Sequence, residues 1–320
     1  MKPQRLLRLL PPVLGLLVLS GIVIGLHGAL RKISFGDILA ALDATPLRQM
    51  LHALVFLLIS GTIMAIYDLP GVRFAQRLPA TPRLAPWRIG LASFCAYTLS
   101  HVLGAPALSS AAIRFRLYAQ WRVPTAGIAR IVALSGTNFS LGLTSLLGTM
   151  LLVHPPSLPS LGQHAPGLLR AAGSLLLLPA CAYVLAARRR DVVRLFGHEL
   201  SLPGIRLALA QIILSGADIA TACAIFYAVL PSAPGLSYAD VLSLYLAAFA
   251  AGAFSGLPGG VGVFDSVLLL GLSTDLPAAP ALGAILLFRV LYFLIPACLG
   301  GILYAGHEFW AHAHGPKDEA

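Results

Sequence analysis

Charge is what this sequence has least of. Asp, Glu, Lys and Arg make up 11% of its 320 residues, where a soluble domain carries about 25%. That scarcity excludes an ordinary water-soluble fold. Cysteine is sparse too: Cys95, Cys181, Cys223 and Cys298 stand singly inside apolar runs. No CxxC pair exists for a metal or redox centre, and the four read as small packing residues. Catalytic signatures are missing as well. There is no GxSxG, no HExxH and no carboxylate pair on a polar loop, so the chain is not expected to be an enzyme. Glu308, His312 and His314 come nearest to a metal-ligand set but lack a cysteine partner, and neither metal nor cofactor is expected.

Apolar residues fill the gap, at 58% of the chain with a mean hydropathy of +0.85. They come in runs of about 20, the length that crosses a ~30 Å hydrocarbon core. The runs are Val13–Leu30, Leu51–Leu69, Ile89–Leu108, Ile131–Val153, Leu168–Ala187, Leu207–Leu230, a short Val241–Phe254, and Ala281–Tyr304. Val13–Leu30 follows Lys2, Arg5 and Arg8 but lacks a clear small-x-small cleavage site, so it reads as a retained anchor. The net charge of +10 does not signal nucleic acid, because most arginines lie in short loops between runs, where they orient the protein and meet anionic lipid.

Two runs are broken. Ile89–Leu108 ends in SHVLGAPALSS (Ser100–Ser110), and Val241–Phe254 runs into SGLPGGVGVFD (Ser255–Asp265), followed by the stub Val267–Leu272. If the third run simply crosses, 12 Lys and Arg residues fall outside and seven inside, against the positive-inside rule. If it enters, breaks and returns, the balance becomes 16 inside to three outside. The same logic returns the seventh run to the outside. Paired interruptions of opposite orientation point to a transport site near the midplane. The expected architecture is all-α and polytopic, with six full spans and two oppositely oriented re-entrant hairpins. It forms one domain, with cytoplasmic tails at 1–12 and 306–320, in the cell inner membrane.

Two charges are expected at membrane depth, Asp218 in the sixth run and Arg289 in the last. Each costs at least about 2.5–3.5 kcal/mol there, so the two are candidates for a buried pair. Gly259, Gly260 and Gly262 permit positive φ and close backbone approach. Asp265 is read either as a cap for the stub or as the partner of an arginine from the first hairpin. Asp240 abuts the seventh run and reads as a helix-start acid.

The strings YD (Tyr67–Asp68), LSSAAIRFRLY (Leu108–Tyr118), LPGGVGVFD (Leu257–Asp265) and FRVLYFLIP (Phe288–Pro296) resemble, in the same order, the transmembrane region of lysylphosphatidylglycerol synthases. Those enzymes, also called multiple peptide resistance factors, join a lipid-flipping membrane domain to an aminoacyl transferase. The likeness extends to stand-alone flippase-like membrane proteins, some associated with hopanoid synthesis. It implies lipid translocation or lipid binding; aminoacyl-lipid synthesis is not implied.

On that likeness, Arg114, Arg116, Tyr118, Arg289 and Tyr292 join the three glycines as candidate substrate-binding residues. Arg114 and Tyr118 are i, i+4 neighbours on a helix, and a guanidinium fork suits a phosphate headgroup; snorkelling to the interface is the alternative. Asp68, Asp218 and Asp265 are the candidate relay or pair, with His101 beside them. The expected partners are membrane lipids. A homo-oligomer and a separate lipid-modifying enzyme stay open. A non-transporting lipid-binding scaffold and a small-solute or ion carrier remain the alternative functions.

Overall fold

The structure, a computed structural model, describes residues 43, 45–103, 106–155, 165–189, 192–195, 198–255 and 260–314. The first apolar run, Val13–Leu30, and Gly259 therefore lie outside the described residues. The helices are α1 (Leu47–Ile66), α2 (Leu69–Ala75), α3 (Pro86–Leu103), α4 (Pro106–Gln120), α5 (Thr125–Val153) and α6 (Ala165–Arg189). After them come α7 (Ile205–Val229), α8 (Tyr238–Ser255), α9 (Val263–Leu272), α10 (Ala278–Arg289) and α11 (Ile295–His314). A π-helical turn, Val290–Leu294, joins α10 to α11.

Proline marks many of the starts. Pro46, Pro124 and Pro277 sit at the N-caps of α1, α5 and α10, while Pro86 and Pro106 open α3 and α4. There the missing N–H leaves no helical bond unmade. Pro70 has the opposite effect on α1. Placed in the first turn of α2, it cannot donate back to Ile66, and its ring would crowd that carbonyl. The helix breaks at Tyr67–Asp68, and the break turns Asp68 inward to complete burial.

Among the described residues, six helices are long and apolar enough to cross a membrane: Leu47–Ala75, Thr125–Val153, Pro166–Arg189, Ile205–Val229, Tyr238–Ser255 and Ala278–Ala311. The all-α polytopic fold stands. Five of the six helices contain runs expected to span; the sixth, Tyr238–Ser255, expected as a hairpin limb, qualifies by length and composition, while the expected span Val13–Leu30 lies outside the described residues. The loop after α6 holds one feature with no expected counterpart, a two-stranded antiparallel hairpin of β1 (Val192–Leu195) and β2 (His198–Ser201), with Val192 opposite Ser201. The last helix continues through residues 306–314, which the sequence assigned to a tail.

α3 and α4 form an antiparallel pair. Trp87, at the start of α3, lies 6.2 Å from Trp121, just past the end of α4, so the chain returns to the end it left. α8 and α9 form a second such pair. Gly252 meets Gly260 and Phe264 near the tip, and Leu244 meets Gly271 toward the base. α5 begins at the base of the first hairpin, and its C-cap His154 bonds Asp240, in the first turn of α8, at 2.7 Å. The hairpins thus enter from opposite ends of the bundle. Their tips approach on one side chain: Phe293 lies 5.8 Å from His101 of the first hairpin. Phe293 also carries Arg289, 5.5 Å above its ring, and Arg289 pairs with Asp265 of the second.

Leu51, Leu54, Val55 and Leu58 on α1, Leu175, Leu178 and Leu185 on α6, and Leu299 and Ile302 on α11 are all exposed. Apolar faces this extensive are lipid-facing rather than water-facing. Inside, Phe226, Tyr245, Phe264 and Phe288 pack edge-to-face or tilted, with centroids 5.4–6.3 Å apart. α5 and α6 touch backbone to backbone: a Cβ on Gly148 would lie 2.8 Å from the Gly173 carbonyl oxygen, and one on Gly173 would lie 2.7 Å from that of Gly148. Small residues at such crossings are how helices associate where no water drives them together.

Candidate functional site

The Pro70-induced break delivers Asp68 into a nest of donors. Arg114 Nε reaches Oδ1 and Oδ2 at 3.0 and 2.9 Å, and its Nη2 reaches Oδ1 at 2.9 Å. Tyr118 Oη donates to Oδ2 at 3.0 Å, and Ser135 Oγ donates to Oδ1 at 2.7 Å. Ser93 accepts the Asp68 backbone N–H at 3.2 Å, and Arg114 Nη1 turns to Ser110, one turn back on its own helix. The i, i+4 spacing of Arg114 and Tyr118 has the expected effect of placing both on one face. That face meets a carboxylate: with 3% of Arg114 exposed and none of Asp68, the fork read as a phosphate clamp is closed on Asp68 in this structure.

A second carboxylate lies on α7. Asp218 is fully buried on α7 and accepts from Ser60 Oγ at 3.1 Å and from Tyr97 Oη at 2.6 Å. One turn earlier on α7, Ser215 takes the Tyr67 hydroxyl at 2.8 Å. One turn before that, Gln211 bonds Asn138 at 2.6 Å and receives the Tyr183 hydroxyl at 2.6 Å. Asn138 donates to the Tyr67 carbonyl oxygen at 3.4 Å. A buried polar chain therefore runs from α6 through α7 and α5 to the α1–α2 break, with the two carboxylates flanking Tyr67. Ser60, Tyr97, Ser135, Asn138, Gln211 and Ser215 are absent from the candidates read from sequence, and Tyr67 enters there only within the YD string. A signal was present, since residues 211, 215 and 218 repeat at helical spacing and form one polar stripe on an otherwise apolar helix.

The third carboxylate sits at the tip of the second hairpin. Gly260 and Gly262 hold φ values of 61° and 84°, the left-handed region that glycine enters freely. Gly262 N–H donates to Asp265 Oδ2 at 2.9 Å, so Asp265 caps α9, which begins at Val263 rather than at Val267. Asp265 also pairs with Arg289, through Nε at 2.6 Å and Nη2 at 2.8 Å. This corrects the expected Asp218–Arg289 pair, because the Gly260–Gly262 turn brings Asp265 to Arg289 while Asp218 faces Ser60 and Tyr97. It also corrects the reading of Asp265 against a first-hairpin arginine, since its cation comes from α10.

The remaining candidates lie apart. Arg116, its side chain half exposed, pairs with Glu308 of α11 at 2.9 Å, where Gln120 also bonds Glu308 at 2.7 Å. Tyr292 is buried in the π turn, stacked on Phe288 at 5.3 Å. Asp240 accepts the Ser237 N–H at 3.0 Å, as a first-turn acid does. No group of three or more metal-ligating side chains occurs among the described residues. A cavity of about 410 Å³ lies at the far end of α1, lined by Gln49, His52, Phe56 and Tyr227. His52 is ~24 Å along the chain axis from Asp68 at 1.5 Å per residue, so the cavity is separate from the carboxylates.

Searches for relatives agree with this architecture. No family model matches the chain. It is 30% identical to the uncharacterised protein slr0712 of Synechocystis over 316 residues, 97% of this chain and 95% of that one. It is 27% identical to the inner membrane protein YbhN of Escherichia coli over 98% of this chain and 97% of that one. A local match of 35% identity over 86 residues links it to a phosphatidylglycerol lysyltransferase of Staphylococcus haemolyticus, covering 27% of this chain and 10% of that enzyme. Identity sustained over almost the whole length, joined to six membrane-length helices, makes the chain a multi-pass membrane protein belonging to the family of slr0712, to which YbhN is also similar.

Proposed function

We propose that this chain moves a lipid with a polar or charged headgroup between the leaflets of the inner membrane, with both termini in the cytoplasm. One observation carries the reading: two helical hairpins enter from opposite ends and bring their tips to Phe293 in the π turn. Broken helices meeting at depth are the usual framework of a membrane transport site. Non-helical backbone there survives only where protein or a wet cavity satisfies it. In this reading both hairpins are re-entrant, and the Asp265–Arg289 pair at their meeting point opens to admit a headgroup. A π turn in a spanning helix is the kind of irregularity that accompanies function. The local identity with a lysyltransferase that acts on phosphatidylglycerol supports a phospholipid as the cargo class.

The test is reconstitution in liposomes holding labelled phosphatidylglycerol, phosphatidylethanolamine or phosphatidylcholine in one leaflet. The wild-type protein should speed leaflet exchange of at least one labelled lipid. Arg289→Gln should slow that exchange at least tenfold while the protein remains folded. Folded protein that exchanges none of the three would overturn the proposal.

A further inference from the structure

Of the three candidate carboxylates Asp68, Asp218 and Asp265, two hold a cation among the described residues and one does not. Asp68 has Arg114, and Asp265 has Arg289. Asp218 has two neutral hydroxyls, from Ser60 on α1 and Tyr97 on α3. Like Asp68, it has none of its surface exposed. An isolated ionised carboxylate at that depth carries a desolvation penalty of several kcal/mol that two neutral hydrogen bonds do not offset. Such a position calls for a positive charge, and no cation among the described residues supplies it.

The surroundings identify that charge. Ser60 Oγ and Tyr97 Oη contact the carboxylate oxygens directly, at 3.1 and 2.6 Å. Only hydrogen fits between oxygens so close; a metal cation between them would force them apart. The titratable groups that face Asp218 are hydroxyls from several elements: Tyr97 of α3, Tyr67 of α1, Tyr292 of the π turn and Tyr245 of α8. The neighbouring cations are taken, Arg114 by Asp68 and Arg289 by Asp265. Tyr245 adds an independent sign. It is fully buried within electrostatic reach of Asp218, and its hydroxyl has no hydrogen-bond partner among the described residues. A buried hydroxyl without a partner is a donor and acceptor left open in the same interior.

We propose that Asp218 is a proton-binding site, taking up and releasing one proton through Tyr97 as the bundle changes state. In the ionised form the carboxylate only accepts, so Ser60 and Tyr97 both donate to it. When a proton adds to Oδ2, that oxygen becomes a donor and the Tyr97 hydroxyl turns to accept. The displaced Tyr97 hydrogen is redirected toward the neighbouring Tyr292. No bond other than O–H forms or breaks, and the proton comes from water and returns to it. His101 marks the way in. It is only partly buried at the first hairpin's tip, its ring lies 4.7 Å from that of Tyr97, and its Nδ1 sits 2.7 Å from the Tyr97 carbonyl oxygen. The site rests on geometry alone; its use in driving lipid movement rests on the function proposed above.

Infrared difference spectroscopy of the full chain in liposomes, recorded between acid and alkaline buffer, reads this site without any lipid assay. A protonated-carboxyl band should appear at acid pH and be lost in Asp218→Asn, while Asp240→Asn retains it. Tyr97→Phe, which keeps the ring and removes the hydroxyl, should shift the pH at which the band appears. If Asp218→Asn does not fold, an unshifted band in Tyr97→Phe overturns the proposal. Three further results overturn it: no band at any pH, a band intact in folded Asp218→Asn, or a band that follows sodium at fixed pH. A titrating Asp218 band in protein that moves no lipid would sustain the proton site and sink the lipid reading. Lipid exchange without that band would do the reverse.

Discussion

Replacing Asp68 with Asn tests the buried pair at the α1–α2 break most directly, because Asn preserves shape and removes only charge. Arg114 would keep its place, 3% exposed, but lose the charge-assisted bonds that its Nε and Nη2 make at 2.9–3.0 Å. Stranding one member of a buried ion pair costs about 3–5 kcal/mol, and solvent screening offers little relief at this depth. That is roughly a 10²–10⁴-fold loss in the folding equilibrium constant, on the order of a decade per 1.4 kcal/mol. Arg114→Ala should cost somewhat less, since Tyr118 and Ser135 still donate to the carboxylate. Arg114→Lys should cost less than Arg114→Ala but more than nothing, because it keeps a cation beside Asp68 while an ammonium cannot make the two-pronged contact. Asp68→Leu combined with Arg114→Met removes both charges and should recover at least about 2 kcal/mol relative to the sum of the single changes. Unfolding in mixed detergent micelles, followed by tryptophan fluorescence, is a suitable assay, because Trp87 and Trp121 sit together at the base of the hairpin that carries Arg114. Damage that adds within about 0.5 kcal/mol in the double variant would mean that the two side chains do not meet, and the argument for an internal pair would fail.

Two further outcomes are expected. Gly148→Leu should prevent α5 and α6 from closing and reduce the folded yield severely, whereas Gly136→Ala on the same helix, with nothing within 4 Å of its added carbon, should fold as wild type; equal yields, measured by gel filtration in detergent, would refute the crossing. In a background without native cysteines, single cysteines at Gln120 and Thr125 should react with a membrane-impermeant maleimide only from the cytoplasmic side. Labelling of either from outside would show that the α3–α4 hairpin crosses the membrane instead of returning.

The parts of this protein legible from sequence are those governed by solvent. Runs of about 20 apolar residues became helices because the hydrocarbon core leaves the backbone no other way to satisfy its polar groups. The two interruptions were visible for the same reason, since Gly and Pro are the residues that permit or force an irregular backbone. Even their character came through: Gly260 and Gly262 adopt positive φ, and Asp265 caps the helix behind them. Extents were less accurate. Within the Ser100–Ser110 stretch expected to be irregular, residues 100–103 and 106–110 are helical, because Ser, Ala and Pro at a helix start are compatible with helix.

Partners were the illegible part, and the reason is geometric. Asp218 and Arg289 looked like a pair because they were the two charges deepest in their runs. Depth along one helix says nothing about which neighbour lies across from it. Asp265 won Arg289 because a glycine turn brought it there, a fact about backbone conformation at residues 260–262 that no hydropathy count contains. Arg114 was read as facing a ligand because an arginine near a membrane edge suits phosphate. The side chain that instead met it was Asp68, 46 residues earlier, delivered by Pro70 breaking α1. The hydroxyl and amide residues of the polar chain were harder still, since Ser60, Ser135, Asn138 and Ser215 are common in spanning helices for packing alone. What distinguishes them is convergence on two carboxylates, and convergence is a property of the packed bundle. The sequence stripe at 211, 215 and 218 marks the face on which that convergence occurs, and on that face Asp218 is the acid left without a cation.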